Sequence, residues 1–249
     1  MLATTSSRRG AATGAILNDD AIANDARSPD GAGRLDQASP FARYRDADAI
    51  DLIAQYPLAW VCPSDADPAL PTLLPLLVES DMAGRPIALI GHMARRNPLF
   101  AALQAHPEML ALFTGPQAYV SPAHVSDPAW APTWNYAQLR IATRVAFLPE
   151  GGGAAIQQLI DAMERDRPIG WTTATMGDRY APMVDAIIAF RAEILRIEGR
   201  FKLGQDETPE RLREILARHP DAALVDWMRR FNPGRCEARA AQDGASGGA

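Results

Sequence analysis

Three short blocks hold the residue types from which a binding site could be assembled. Gly91-His92-Met93-Ala94-Arg95-Arg96-Asn97-Pro98 sets an imidazole and two guanidinium groups between a strand-like run and a helix start. Guanidinium forks are planar, multidentate donors suited to phosphate, and a helix N-terminus adds free N–H groups and the positive end of a dipole. The same block also reads as an exposed basic loop ahead of a capped helix, with Arg95 ranked before Arg96 as the contact. Pro132-Thr133-Trp134-Asn135-Tyr136 places an amide between two aromatic rings, which can wall a planar heterocycle or simply fill a core at a strand start. The third block, Arg200-Phe201-Lys202-Leu203-Gly204-Gln205, contains Lys202, the only lysine among twenty-five basic residues. An ammonium is a compact point charge where guanidinium is a flat fork, so its retention there is either chance or a specific requirement.

The elements that must position these blocks alternate between strand and helix. Asp46 to Tyr56 has helical spacing behind acidic residues; Leu58–Cys62, Thr72–Val78 and Arg85–His92 read as strands. Pro75 inside the second marks an edge or a bulge. Asn97-Pro98 reads as an N-cap and first helical residue. Met109–Phe113 and Ala118–Ser121 are strands around a turn at Thr114-Gly115-Pro116. Gln138–Phe147 alternates strictly, with Leu139, Ile141, Thr143, Val145 and Phe147 on one face. Ala154–Arg165 and Ala181–Ala186 are helical, Ile187–Ile194 is a strand, Arg196–Leu203 is extended, and Thr208 and Asp221 cap two final helices.

Composition narrows the function. A net charge of −5 argues against general affinity for nucleic acid. Cys62 and Cys236 give neither a disulfide framework nor metal-ligand spacing, so no metal is expected. No Ser-His-Asp or Cys-His set marks a nucleophile, and no Gly-rich phosphate loop is present. No run is long enough for a membrane span, and Arg8-Arg9 lack an apolar region behind them, so cytoplasm is the expectation. Residues 1–40 and 233–249 lack periodicity and are expected to be disordered.

In order and spacing, Gly-His-Met-Ala-Arg-x-Asn-Pro, Gly-Pro-x-Ala-Tyr-Val-Ser, Pro-Thr-Trp-Asn-Tyr and Phe-Lys-Leu-x-Gln resemble the PaiB-type FMN-binding negative transcriptional regulators. The resemblance implies an α+β, mainly β fold: an FMN-binding split β-barrel over 41–205 with peripheral helices, and C-terminal helices over 206–232 packed on it. It implies a homodimer with FMN near the interface. His92, Arg95, Arg96 and Asn97 would lie at the flavin phosphate, with Trp134, Asn135, Tyr136, Lys202 and Gln205 completing the cofactor site. Regulation rests on the resemblance, and DNA association would be indirect or weak, since no helix-turn-helix with a basic recognition helix is visible. The alternative is a flavin-dependent oxidoreductase acting on a small substrate. The chain departs from the family pattern at Leu73, where a histidine is usual, at Gly204 and Asp206, and in its long N-terminal extension.

Overall fold

The computed structural model describes residues 39–64, 71–167 and 171–236. Six antiparallel strands, β1 (Leu58–Pro63), β2 (Thr72–Ser80), β3 (Pro86–Ala94), β4 (Glu108–Val120), β5 (Thr133–Leu148) and β6 (Ile187–Lys202), close into a barrel in the order β1-β2-β3-β6-β5-β4. Around it lie α1 (Asp46–Gln55), α2 (Pro98–Ala105), α3 (Gly152–Glu164), α4 (Tyr180–Asp185), α5 (Pro209–Arg218) and α6 (Ala222–Phe231). The mainly-β barrel with peripheral and C-terminal helices is the fold expected from the sequence.

Alternation decides which side of each strand faces the core. In β5, Leu139, Ile141, Thr143 and Val145 are buried as the pattern requires, while Phe147 is only half-buried. The strand is longer than its alternating stretch and takes in Thr133 to Tyr136 of the Trp134 block. The expected turn at Thr114-Gly115-Pro116 is a bulge inside continuous β4, with the pairing to β5 skipping from Thr114 to Gln117. An unbroken partner strand holds the kinked segment in the sheet, where a free chain would have turned. The runs Ile187–Ile194 and Arg196–Leu203 are likewise one strand. Leu195 is the extra residue of a bulge opposite Ala142 and Thr143, and it breaks the alternation that would have shown the continuity.

Pro75 pairs with Leu58 of β1, and pairing to β3 begins only at Leu76, so the proline sits at an edge position as expected. Gly91 is a close-approach glycine. A Cβ there would lie 2.5 Å from Leu76 Cδ2 and 2.7 Å from Phe190 Cζ across the core.

Helices α5 and α6 pack Leu212, Ile215, Leu224, Trp227 and Met228 into the same apolar interior. Phe201, near the end of β6, stacks on Phe231 at 4.7 Å and on Trp227 at 6.0 Å. At the start of α1, buried Asp48 accepts from Arg45 N at 2.8 Å and from Arg230 Nε at 2.8 Å, tying α1 to α6. Most of the two segments expected to be disordered, 1–38 and 237–249, lies outside the described residues. Pro40 already stands in a short 3-10 turn, and Arg235 donates to Gln205 O at 3.1 Å and to Asn232 Oδ1 at 2.5 Å.

Candidate functional site

The nine candidate residues fall into two groups. Ala94 ends β3, and Arg95 and Arg96 turn the chain into α2. In the register, His92 pairs with Ala189 near the start of β6, whereas Lys202 at its end pairs with Tyr136. Thirteen residues of strand separate those two points, a contour of roughly 40 Å at about 3.3 Å per residue. Within one chain the basic corner and the aromatic block therefore lie toward opposite ends of β6.

At the corner, the backbone donors are already in use. Asn97 caps α2, its Oδ1 accepting from Leu99 N at 3.0 Å, while Phe100 N donates to Asn97 O and Pro98 has no N–H. Arg95 N donates to Ala186 O, and Asn97 N to Ala94 O. Of the two sources of anion-binding capacity that the sequence offered, the guanidinium groups and the helix end, these backbone donors are taken up within the chain, and the guanidinium groups are left.

The two arginines, ranked Arg95 before Arg96 from the sequence, differ in their protein partners. Arg95 Nε donates to Asp185 O at 3.0 Å and its Nη2 to Pro149 O at 3.2 Å, so this side chain clasps the ends of α4 and β5 to the corner. Arg96 is exposed and makes no hydrogen bond or ion pair among the described residues. Both line a pocket of about 450 Å³ with Ala94, Met183, Ala186 and Ile187. An apolar floor beneath two guanidinium groups, one braced and one free, can take a phosphate carried on a less polar body. His92 lies half-buried on the same side of β3 as Ala94. Burial holds its imidazole below the ordinary value, so it is neutral near pH 7.

At the other end, β5 alternation turns Trp134 and Tyr136 outward and Asn135 inward. Asn135 is buried, with Nδ2 3.6 Å from Met228 Sδ, which places it in the packing between barrel and α6, not on the surface. Trp134 is 54% exposed, and the edge of its ring meets Tyr119, itself 46% exposed, at 6.1 Å. Tyr136 Oη accepts from Arg200 Nε at 2.9 Å, and Lys202 Nζ donates to Thr133 Oγ1 at 2.7 Å. A shallow pocket of about 390 Å³ runs between Thr114, Gln117, Trp134, Tyr136 and Gln138. It presents aromatic faces and two amides, with cationic groups beside them. Gln205 does not face it. Its side chain closes the end of β6 on itself, accepting from Leu203 N at 2.7 Å and donating to Phe201 O at 2.6 Å.

Two departures from the family pattern acquire physical reasons. Gly204 has φ +86°, a left-handed conformation in which a serine would be strained, and a Cβ would come within 3.0 Å of Leu212 Cδ1. Asp206 is exposed in the turn after β6, at the far end of that strand from Arg95 and Arg96, so it does not oppose an anion there.

From the sequence, Gln117 and Tyr119 stand beside a turn with no ligand role assigned to them, and Gln138 is not singled out. The available signal was the bulge, which moves Gln117 and Tyr119 to the outer side of β4 beside Tyr136 and Trp134. A larger cavity of about 590 Å³ was also unanticipated. It is floored by Ile53, Leu77, Val78 and Ile90 and rimmed by Glu79, Gln158, Asp161 and Arg165. Apart from Glu79 of β2, its polar rim comes from α3 and the residue that follows it, and no local motif announces the docking of that helix on the barrel. Among the described residues no cluster of three or more His, Cys, Asp or Glu side chains could hold a metal, and no helix is long and apolar enough to cross a membrane.

Protease synthase and sporulation protein PAI 2 of Bacillus subtilis is 27% identical over 126 residues, covering 47% of this chain and 58% of that protein. The chain therefore matches little more than half the length of this relative. Among solved structures, the flavocytochrome Anf3 from Azotobacter vinelandii shows 17% identity and a TM-score of 0.47, over 65% of this chain and 69% of that one. The FAD and heme binding protein from Mycobacterium smegmatis shows 14% identity and a TM-score of 0.45, over 64% and 72%. Residues 37–196, more than half of the chain, match the family model described as "Putative FMN-binding domain". The protein belongs to the PaiB-type family of FMN-binding domains, and FMN is its cofactor.

Proposed function

We propose that the protein is a cytoplasmic, homodimeric FMN-binding split barrel that acts as a negative transcriptional regulator, with the flavin phosphate held at the Arg95–Arg96 corner. The observation that carries this reading is the Arg96 guanidinium, unpartnered among the described residues, beside the braced Arg95 over an apolar pocket. Asn97 keeps α2 capped, and His92 stays neutral beside the site. When bound, FMN supplies a redox-active ring; the chain's residues bind and orient it.

The separation of the two groups along β6 supports a dimeric site. The aromatic block would serve the flavin of the partner protomer, with Trp134 and Tyr136 giving ring contact and Lys202 a nearby charge. A suitable contact face exists on the outer side of β1, β2 and β4, where Leu58, Trp60 and Leu73 are 55%, 49% and 42% exposed and Leu112 pairs with Trp60. Adjoining apolar residues left in water on one sheet face are typical of a surface that another protein covers. Leu73 stands where the family's histidine is usual, and here it adds to that face. Trp60→Glu should convert the dimer to a monomer in analytical ultracentrifugation. An unchanged mass would remove this face from the account.

Regulation would act through the dimer surface or a further partner, because the net charge is −5 and DNA contact would be weak. Titration of FMN followed by flavin fluorescence tests the central reading. No binding at tens of micromolar, about the weak end for a cofactor site, would reject it.

One observation favours the second reading, a flavin-dependent oxidoreductase. Ile90 in the floor of the 590 Å³ cavity and Ala94 in the arginine pocket face the same side of β3, about 13 Å apart along the strand. That leaves a polar-rimmed cavity within reach of a flavin anchored at Arg96. Substrate-dependent reoxidation of the reduced flavin would support it.

A further inference from the structure

The twelve-residue connection between β4 and β5, Ser121 to Pro132, joins Tyr119 to Trp134. It is long for a link between paired strands, and such loops need a reason to stay in one conformation. Here the reason is α5. Trp130 Nε1 donates to both carboxylate oxygens of Glu207 at 3.1 Å. Arg211 Nη2 donates to Asp127 Oδ2 at 2.5 Å. Glu214 accepts from Ser126 N at 2.5 Å and from Ser126 Oγ at 2.6 Å. Arg218 Nη1 donates to His124 O at 3.3 Å.

The helix-side residues are 207, 211, 214 and 218, a spacing of four, three and four that keeps them on one line along α5 and its lead-in turn. Their partners, 130, 127, 126 and 124, run the opposite way. The series ends on the aromatic pair itself. His219, which caps α5, accepts from Asp221 N through Nδ1 at 3.1 Å, which leaves Nε2 to donate to Tyr119 O at 3.3 Å. Its ring also meets that of His124 at 5.0 Å.

Charge supports the pattern. The Ser126 hydrogen bonds hold the Glu214 carboxyl below its usual range, and backbone and Arg211 hydrogen bonds do the same for Asp127. Burial pushes Glu207 up despite the Trp130 bond. Two ordinary ionised clasps therefore follow, further along α5, one carboxylate that is partly withdrawn from water.

We infer that this line of α5 side chains is a positioning rail: it fixes the β4–β5 connection and thereby sets the orientation of Tyr119 and Trp134 for the ligand. The inference rests on the reading that Trp134 belongs to the flavin site. Tyr119 and Trp134 end the β4–β5 ladder but for one pair, Val120 with Thr133, so the strands alone restrain them weakly. Glu207, Arg211, Glu214 and Arg218 touch no ligand; they act through the loop.

The test compares wild type, Glu214→Ala, Trp134→Ala and the double variant, with two readouts on the full chain. The first is FMN affinity by fluorescence titration. Glu214→Ala should weaken FMN about fivefold, and the loss should vanish when Trp134 is already alanine, because both changes then remove the same contact. A loss of equal size in the Trp134→Ala background would overturn the inference. The second readout needs no flavin: hydrogen exchange of the segment 119–136 should be at least tenfold faster in Glu214→Ala, with the rest of the barrel unchanged. Unchanged exchange would also overturn it. If wild type itself binds no FMN, the flavin reading falls, and the exchange result alone decides the rail. Should Glu214→Ala not fold, Ser126→Ala removes the Oγ half of the same clasp and leaves the backbone N–H bond, so both readouts should move in the same direction by a smaller amount, and no movement in either would overturn the inference.

Discussion

The basic corner after β3 and the aromatic block at the end of β6 are built on opposite plans. At the corner the chain satisfies nearly all of its own donors: Asn97 caps, the backbone N–H groups pair, and Arg95 is fixed to two carbonyls. One guanidinium, Arg96, has no hydrogen-bond or ion-pair partner among the described residues and is left for a ligand. At the aromatic block the polar groups are paired among themselves, Arg200 with Tyr136 and Lys202 with Thr133, and the ring faces of Trp134 and Tyr119 are left open. One region offers charge on a rigid frame, and the other offers surface held by a loop. A phosphate at one end of a flat ring needs both kinds of contact, and a single chain keeps them apart.

The largest expected effect falls on the frame of the aromatic end. Gly204→Ala places a Cβ in a left-handed position against Leu212 and should cost about 1–3 kcal/mol, read as a fall in Tm of several degrees. Tm unchanged would mean that the β6–α5 turn relaxes freely and does not brace this region. At the corner, Asn97→Ala removes the cap of α2 and should cost about 1 kcal/mol of stability. Because Asn97 is bonded to Leu99, FMN and riboflavin should weaken together. A selective loss of FMN would make Asn97 a phosphate contact and blur the contrast.

Trp134→Ala should show the converse. The ring is half exposed, so stability should change by less than about 1 kcal/mol, while FMN and riboflavin affinity should both fall by about tenfold, the scale of one lost aromatic contact. The smallest effect is a pH dependence. His92 has its folded value depressed by burial, so as pH falls the unfolded chain takes up the proton first, near its ordinary value of about 6.5. Stability from this group is present above that value and is lost as pH falls toward the depressed one. His92→Gln should flatten that part of a Tm-against-pH curve. A curve identical to wild type would place the acid sensitivity elsewhere, with His124 the next candidate.

Much of this was legible from the residues. Periodicity found α1, β3 and the inward face of β5, and Asn97-Pro98 announced α2. The three blocks marked both regions, although block resemblance alone grouped them as one site. The separation was hidden because Leu195 breaks the alternation of β6, so the strand that spans the distance read as two pieces. The role of Arg95 was equally hidden: its carbonyl partners lie 90 and 54 residues away in sequence. Asn135 and Gln205 sat inside recognisable blocks, yet one packs against Met228 and the other closes a strand end. A motif reports which residues recur together, not which way each side chain points.

The measurement that bears most directly on the central claim is the affinity of Arg96→Ala for FMN against riboflavin, with wild type and Arg95→Ala alongside. The two ligands differ by the phosphate alone. If the free guanidinium at the corner holds it, Arg96→Ala should lose about 1.5–3 kcal/mol of FMN affinity, roughly ten- to a hundredfold, with riboflavin unchanged. Arg95→Ala should lower Tm as well as affinity, since it also opens the clasp to Asp185 and Pro149. Equal weakening of FMN and riboflavin in Arg96→Ala, or no weakening of either, would contradict the account.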